Sequence, residues 1–319
     1  MAKSPKSGSA RKPPVPSDSH ADIEDLLRRV MPDLHPIVGW LEMKVRKARS
    51  AISACLTLVL TVVSCRADAP VSDADGSDVL ITVKGGVIEA PDTTDPGWRR
   101  LRVEEDGDGH IVVVFRLAGE RSDENIAAFL NALDTGSVTP RNAVALGGPE
   151  VGDSGDVIVR LEPGFYVLGC VRRGKDDHRH ASTGEMKVLH VRNTEPAAAH
   201  STPPATAGEI RLVEFAYVGP DTWPAGAQML RVENTGAQDH QLRLFRLRPG
   251  SSIRDWLNAE DPASHGEAVA GVARIGPGQV AYLPMTLAPG SYVAHCLIQD
   301  PRTKTAHIEL GMFRAIQVE

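Results

Sequence analysis

Apolar and polar positions alternate with a period of two through much of the chain beyond residue 78. In HQLRLFRL (240–247) His240, Leu242 and Leu244 share a face, and in SYVAHC (291–296) Tyr292, Ala294 and Cys296 do. Period two over four to eight residues predicts strands with one buried face. Two stretches break the alternation. Ile126, Phe129, Leu130 and Leu133 fall on one face at helical spacing, and so do Ile253, Trp256 and Leu257. Ser122 and Ser251 stand where N-caps would start these two helices.

The pattern occurs twice. ITVKGGVIEAPDTTDPGWRRLRV (81–103) aligns without a gap to IRLVEFAYVGPDTWPAGAQMLRV (210–232). His110 then heads HIVVVFRL as His240 heads HQLRLFRL, each copy carries its helical patch, and LEPGFYVLGC (161–170) pairs with LAPGSYVAHC (287–296). Cysteine to methionine is sixteen positions in both copies, Cys170 to Met186 and Cys296 to Met312. Two copies of one unit follow, at 78–192 and 209–319, joined by a proline-stiffened linker at 193–208. About seven short strands with one inserted helix predict an all-β Greek-key β-sandwich in each copy.

Charge divides the chain. Residues 1–64 carry a formal +4 and the remainder −10, so the body is acidic and nucleic acid is excluded as a partner. Before the repeats, Met43 opens MKVRKARSAISACLTLVLTVVSC, with four basic residues ahead of an uncharged run of fourteen, Ala51 to Ser64. That run is too short to span a bilayer, which takes about 20 residues, and suits the apolar core of an export signal. A short membrane anchor with a cytosolic tail is the other reading. The end of the run, Val62-Val63-Ser64-Cys65, resembles the lipobox of bacterial lipoproteins. The resemblance implies a signal at 43–64, a lipid on Cys65 that tethers the protein to a membrane, and a cell-envelope location. Residues 65–77 are small, polar and acidic, as a tether would be, and residues 1–42 are most simply a misannotated or disordered extension, with Met43 the true start.

One cysteine in each copy, Cys170 and Cys296, is no disulfide framework. In the second copy His240, Cys296, His307 and Met312 follow one another in that order, with His240 just after the turn-forming Asn234-Thr235-Gly236. Thiol, imidazole and thioether form a soft donor set that suits copper better than magnesium or calcium. The order resembles that of the cupredoxins, the plastocyanin- and azurin-like blue copper domains. By that resemblance His240 and His307 would be imidazole ligands, Cys296 the thiolate and Met312 the weak axial ligand of one mononuclear, type 1-like copper. The corresponding candidates in the first copy are His110, Cys170, His180 (or His178) and Met186, with Glu185 inserted before the methionine. Ten residues separate Cys296 from His307, more than in single-domain blue copper proteins, whereas the spacing from His307 to Met312 matches the plastocyanin pattern. His295 neighbours Cys296 and should face the opposite side of its strand.

The function expected is copper binding for electron transfer or copper handling in the cell envelope, with a redox protein as partner. A metal-free tandem sandwich serving as a binding or structural module is the alternative, Cys296 then being a small buried apolar residue and Met312 core filler. A copper enzyme with a site between the domains is a third reading. Multicopper oxidases carry His-x-His or His-Cys-His pairs, and Cys296 is followed by Leu297.

Overall fold

The computed structural model describes residues 78–319 apart from 108, 137–138 and 151–153. The export-type segment, Cys65 and the tether lie outside the described residues. Among the described residues no helix is long and apolar enough to cross a membrane.

The chain is all-β, and the two copies repeat the same nine-strand topology. In the first, β1 (Val79–Lys84), β2 (Val87–Glu89), β4 (Gly97–Glu105) and β7 (Ser154–Leu161) form one layer. The facing layer holds β3 (Thr93–Thr94), β5 (Val112–Leu117), β6 (Ala143–Gly147), β8 (Gly164–Cys170) and β9 (Met186–Val191). The second copy repeats this with β10 (Gly208–Val213), β11 (Ala216–Val218), β13 (Gly226–Asn234) and β16 (Val280–Leu287) in one layer. Opposite them lie β12 (Thr222–Trp223), β14 (His240–Leu247), β15 (Gly266–Ile275), β17 (Gly290–His295) and β18 (Phe313–Val318). Pairings correspond one for one: β1 lies parallel to β4 as β10 does to β13, and β5 is flanked by β6 and β8 as β14 is by β15 and β17. This is the Greek-key sandwich that the cupredoxin resemblance implies, with two strands more per copy than the alternation marked, because β2, β3, β11 and β12 are only two or three residues long.

Alternation explains which way the strands face. In β14 Leu242 and Leu244 enter the core between the layers, with Tyr292, Ala294 and Cys296 from the β17 segment beside them. After a bulge at Leu244/Phe245, Phe245 and Leu247 turn to the other side, where α2 (Ile253–Asn258) covers them with Trp256. The first copy does the same with α1 (Asp123–Thr135), whose Phe129 and Leu133 cover Phe115 and Val167. Each such aromatic or aliphatic side chain taken out of water stabilises by about 1.5–3 kcal/mol. Ser122 caps α1. The cap of α2 is Ser252, one residue later than expected, because Asp255 closes a reciprocal capping box with it. Leu257 is exposed, since a helix of six residues presents only Ile253 and Trp256 to the sheet. Pro163-Gly164 and Pro289-Gly290 make the tight entries to β8 and β17, and the following tyrosines tie them down. Tyr166 donates its hydroxyl hydrogen to Glu162 O at 2.8 Å and Tyr292 to Ala288 O at 2.7 Å.

The layers run on from one copy into the other. β7 pairs with β16 and β6 with β15, producing sheets of eight and ten strands. Residues of both copies share one core cluster, with Leu146, Val159, Val272 and Ala281 at the joint. The linker contains a helical turn, Ala198–Ser201, packed on the start of β4, where a side chain at Gly97 would collide with the His200 carbonyl.

Candidate metal centre

In the second copy, three elements bring the donors to one pole of the sandwich. His240 is the first residue of β14, and Asn234 shapes the turn before it. The buried Asn234 amide donates to Gln238 O (2.7 Å) and Ile275 O (2.8 Å) and accepts from Gly236 N (2.9 Å). Cys296 directly follows β17 on its inward-facing register. His295 faces the other way and packs on Trp256 (centroids 4.8 Å apart), so it is no part of the site.

The long stretch from Cys296 to His307 does not loosen the site. It folds out as a small antiparallel excursion, with Gln299 bridged to Ala306 and His307 N donating to Ile298 O at 2.8 Å. Asp300 ties its tip through the backbone and hydroxyl of Thr303. The chain then returns to the site, where Ile308 N donates to Cys296 O (2.9 Å), Met312 N to His307 O (2.8 Å) and Cys296 N to Met312 O (3.3 Å). His240, Cys296, His307 and Met312 are all buried, and Met312 shares the core cluster of Cys296.

Donor atoms of His240, Cys296 and His307 lie within 4.8 Å of one another. The two Nδ1 atoms are 3.1 Å apart, and His307 Nδ1 is 3.5 Å from Cys296 Sγ. His307 Nε2 meets Gln238 Oε1 at 3.3 Å, and Gln238 donates onward to Asp300 at 3.1 Å. An outer partner on Nε2 leaves Nδ1 as the lone-pair nitrogen facing the sulfur, the second-shell arrangement that orients a metal-binding imidazole.

Burial sets the protonation of this group. It pushes the Cys296 thiol up to about 12 and, with the neighbouring His307, pulls His240 down to about 4; His307 is also lowered, mainly by burial. Without a cation the site therefore holds a thiol and two neutral imidazoles whose Nδ1 atoms face each other at hydrogen-bond distance. A soft cation at their centre would satisfy all three and displace the thiol proton. His240 Nε2 has no hydrogen-bond partner, and a Cβ on Gly236 would sit 2.9 Å from it, so glycine there makes room for the ring. Phe215, held at φ +57°, lies edge-on to the His307 ring (5.2 Å) and closes that side. The donor set fits copper, and the His/Cys/His group supports copper binding.

The first copy assembles a related group from His110, Cys170 and His180. Cys170 Sγ is 3.8 Å from His110 Nδ1 and 3.7 Å from His180 Nδ1. His178 is not part of it; its ring is exposed and pairs with Asp134 at 2.7 Å. Met186 is a correction. It is the first residue of β9, opposite Gly169, and packs with the Phe115–Phe129 cluster on the helix side. Glu185 takes the position of Met312 instead: Cys170 N donates to Glu185 O (3.2 Å) and Glu185 N to His180 O (2.9 Å), the bonds that Met312 makes in the second copy. Equal cysteine-to-methionine counts conceal this, because the loop before Glu185 is one residue shorter. Counting back from the last strand would have found it. Asn234 likewise has a counterpart in Glu105, whose carboxylate accepts from His110 N.

No family model matches the sequence, and no curated protein sequence matches it. Among solved structures, the chain is similar to dithionite-reduced auracyanin from the photosynthetic bacterium Roseiflexus castenholzii, with 26% identity over 35% of this chain and 94% of that one, at a TM-score of 0.26. It is also similar to auracyanin A, a blue copper protein from Chloroflexus aurantiacus (16% identity, 35% of this chain and 100% of that one, TM-score 0.23). A multi-copper oxidase from Pediococcus acidilactici aligns over 71% of this chain and 50% of its own, with 12% identity and a TM-score of 0.25.

Proposed function

We propose that the second copy binds one copper ion in a mononuclear, type 1-like centre, with His240, His307 and Cys296 as strong donors and Met312 as the weak fourth. The centre serves electron transfer or copper handling, and the protein is held in the cell envelope by a lipid on Cys65. The observation that carries the copper reading is the convergence of two Nδ1 atoms and one sulfur, far apart in sequence, in a dry pocket at one pole. A trigonal set of two imidazoles and a thiolate with a long thioether lies between the geometries that Cu(I) and Cu(II) prefer, which keeps reorganisation small when the oxidation state changes. Leu297 beside Cys296, and Leu310 and Phe313 near Met312, are exposed apolar side chains, a surface that suits a redox protein as partner. The acidic body and the signal-like run ending in Cys65 support an exported protein rather than a nucleic-acid binder.

The test uses a Cys170→Ser background, which leaves Cys296 as the one cysteine among the described residues. Addition of Cu(II) should produce an intense thiolate-to-copper band that a further Cys296→Ser change abolishes. A colourless protein with a titratable thiol at Cys296 would end the proposal. For the anchor, wild type should partition with membranes and Cys65→Ala should not; unchanged fractionation would count against lipidation.

A further inference from the structure

We propose that the first copy holds a metal centre of its own, of different chemistry, built from His110, Cys170, His180 and Glu185, which takes a divalent cation, Cu(II) above all, and holds it against reduction more strongly than the centre of the second copy does. The four donor atoms lie within 4.8 Å of one another. Glu185 Oε1 is 2.5 Å from His110 Nδ1, and Oε2 is 3.0 Å from His180 Nδ1. The carboxylate is buried at 5% exposure, and Oε1 has no partner in hydrogen-bond geometry; nor has the buried His110 Nε2. A carboxylate in a protein interior is costly unless it is paired or coordinates a cation. Both imidazoles turn the same nitrogen to the carboxylate and the sulfur, which is a converging donor set rather than a set of separate side-chain contacts.

Charge decides which cation. In the second copy the single anionic donor is the Cys296 thiolate, so Cu(I) makes a neutral buried centre and Cu(II) leaves one positive charge. In the first copy thiolate and carboxylate together carry two negative charges, so a divalent ion makes the neutral centre and Cu(I) leaves one negative charge. Uncompensated charge in a dry site is unfavourable, and each copy therefore favours a different oxidation state. Donor hardness acts in the same direction, since a carboxylate oxygen suits a harder ion than a thioether sulfur does. Among divalent first-row ions Cu(II) binds such mixed sites most tightly. Access differs as well. The His180 side chain is 26% exposed whereas His307 is fully buried, and where Phe215 closes the second centre the first has Gly86, whose missing side chain leaves room beside Glu185 Oε2.

Equilibrium dialysis of the purified full chain against Cu(II) tests this independently of the second centre. Wild type should take up two copper ions and the Cys296→Ser variant one, which gives a Cu(II) EPR signal that the double variant Cys170→Ser/Cys296→Ser lacks. On the Cys296→Ser background, Glu185→Gln should weaken Cu(II) relative to Cu(I) at least tenfold, an upward shift of the one-electron midpoint by about 59 mV or more. Glu185→Met should raise the midpoint further, towards that of the second centre. Far-UV circular dichroism and urea midpoints of the metal-free variants establish that each is folded, and wild-type stoichiometry is read without any substitution. Uptake of one copper by wild type, lost with Cys296→Ser, would overturn the proposal and leave Glu185 as an internal partner of the two histidines. So would an unchanged midpoint in both Glu185 variants. Loss of the band in the Cys170→Ser background with copper retained by Cys296→Ser would refute the second centre alone.

Discussion

Replacing Asn234 should unfasten the second centre without touching a ligand. Its side chain is buried and makes three hydrogen bonds, one to the Gln238 carbonyl within the turn, one to the Ile275 carbonyl at the end of β15 and one from Gly236 N. Each is worth about 1 kcal/mol net, so Asn234→Ala should cost about 3 kcal/mol. Gly236 N keeps a second acceptor in Leu212 O at 3.2 Å, which moderates the loss on that side. Against a domain stability of about 5–15 kcal/mol this is a large change, visible as a lower urea midpoint at unchanged slope. Asn234→Asp separates polarity from volume. It is nearly isosteric, yet it sets a carboxylate against two carbonyl oxygens, so at pH 7 it should be at least as damaging as alanine. Copper affinity should fall about tenfold or more in both variants, because the ordered turn that presents His240 must then be re-formed on binding. An aspartate variant within about 1 kcal/mol of wild type that holds copper normally would refute the role given to Asn234.

Gln238→Leu removes the outer partner of His307 while preserving bulk; copper affinity should drop 10- to 100-fold in a competition assay, with stability changed by about 1 kcal/mol or less. Glu150 predicts a pH dependence. Burial raises its carboxyl to about 7, with Arg243, Gln241 and Arg274 offsetting part of the effect. The folded state thus binds more protons than the unfolded chain between about pH 4.5 and 7, and stability falls as pH rises through that window, then levels off above it. Over the full window the loss is roughly 3 kcal/mol, and Glu150→Gln should abolish it, as urea midpoints of the metal-free protein at pH 5 and pH 8 would reveal.

The strands, and the pole of the second copy where His240, Cys296 and His307 gather, were legible because period two survives wherever one face is buried, and because His240, Cys296 and Met312 flank strands, which alternation locates. Cys296 follows Tyr292 and Ala294 on one face, so its inward direction could be read from the chain. The donor cluster of the first copy was only partly legible. A one-residue difference in loop length is invisible to a count from cysteine to methionine, and it exchanges Glu185 for Met186 because neighbours on a strand point to opposite faces. Backbone pairing, with Cys170 N bonded to Glu185 O, settles the register that spacing could not. Gln238 and Asp300 were not legible at all. Their roles depend on a hairpin-like excursion that returns His307 to the site, and nothing in the composition of that loop marks the return.

The joint between the copies was also hidden, because sequence alternation identifies a strand's faces and not its edge partners. Its consequence can be measured. Cut at the linker, the second copy would lose β7 from the edge of β16 and β6 from β15. β16 reads VAYLPMTL and is largely buried, and Tyr282 on it packs edge-on against Trp98 of the first copy at 5.0 Å. Asp239, next to His240, accepts from Thr139 N (2.7 Å) across the joint as well as from Arg274 (2.7 Å). Freed of these partners, β16 would be an eight-residue apolar edge, the kind of strand that pairs with another copy. Residues 209–319 alone should therefore self-associate on size exclusion and melt at a lower urea concentration than residues 78–319, and Asp239→Ala in the longer chain should reproduce part of the loss. A monomeric fragment as stable as the tandem would mean that the two sandwiches merely touch, and that neither centre depends on the neighbouring copy for its rigidity.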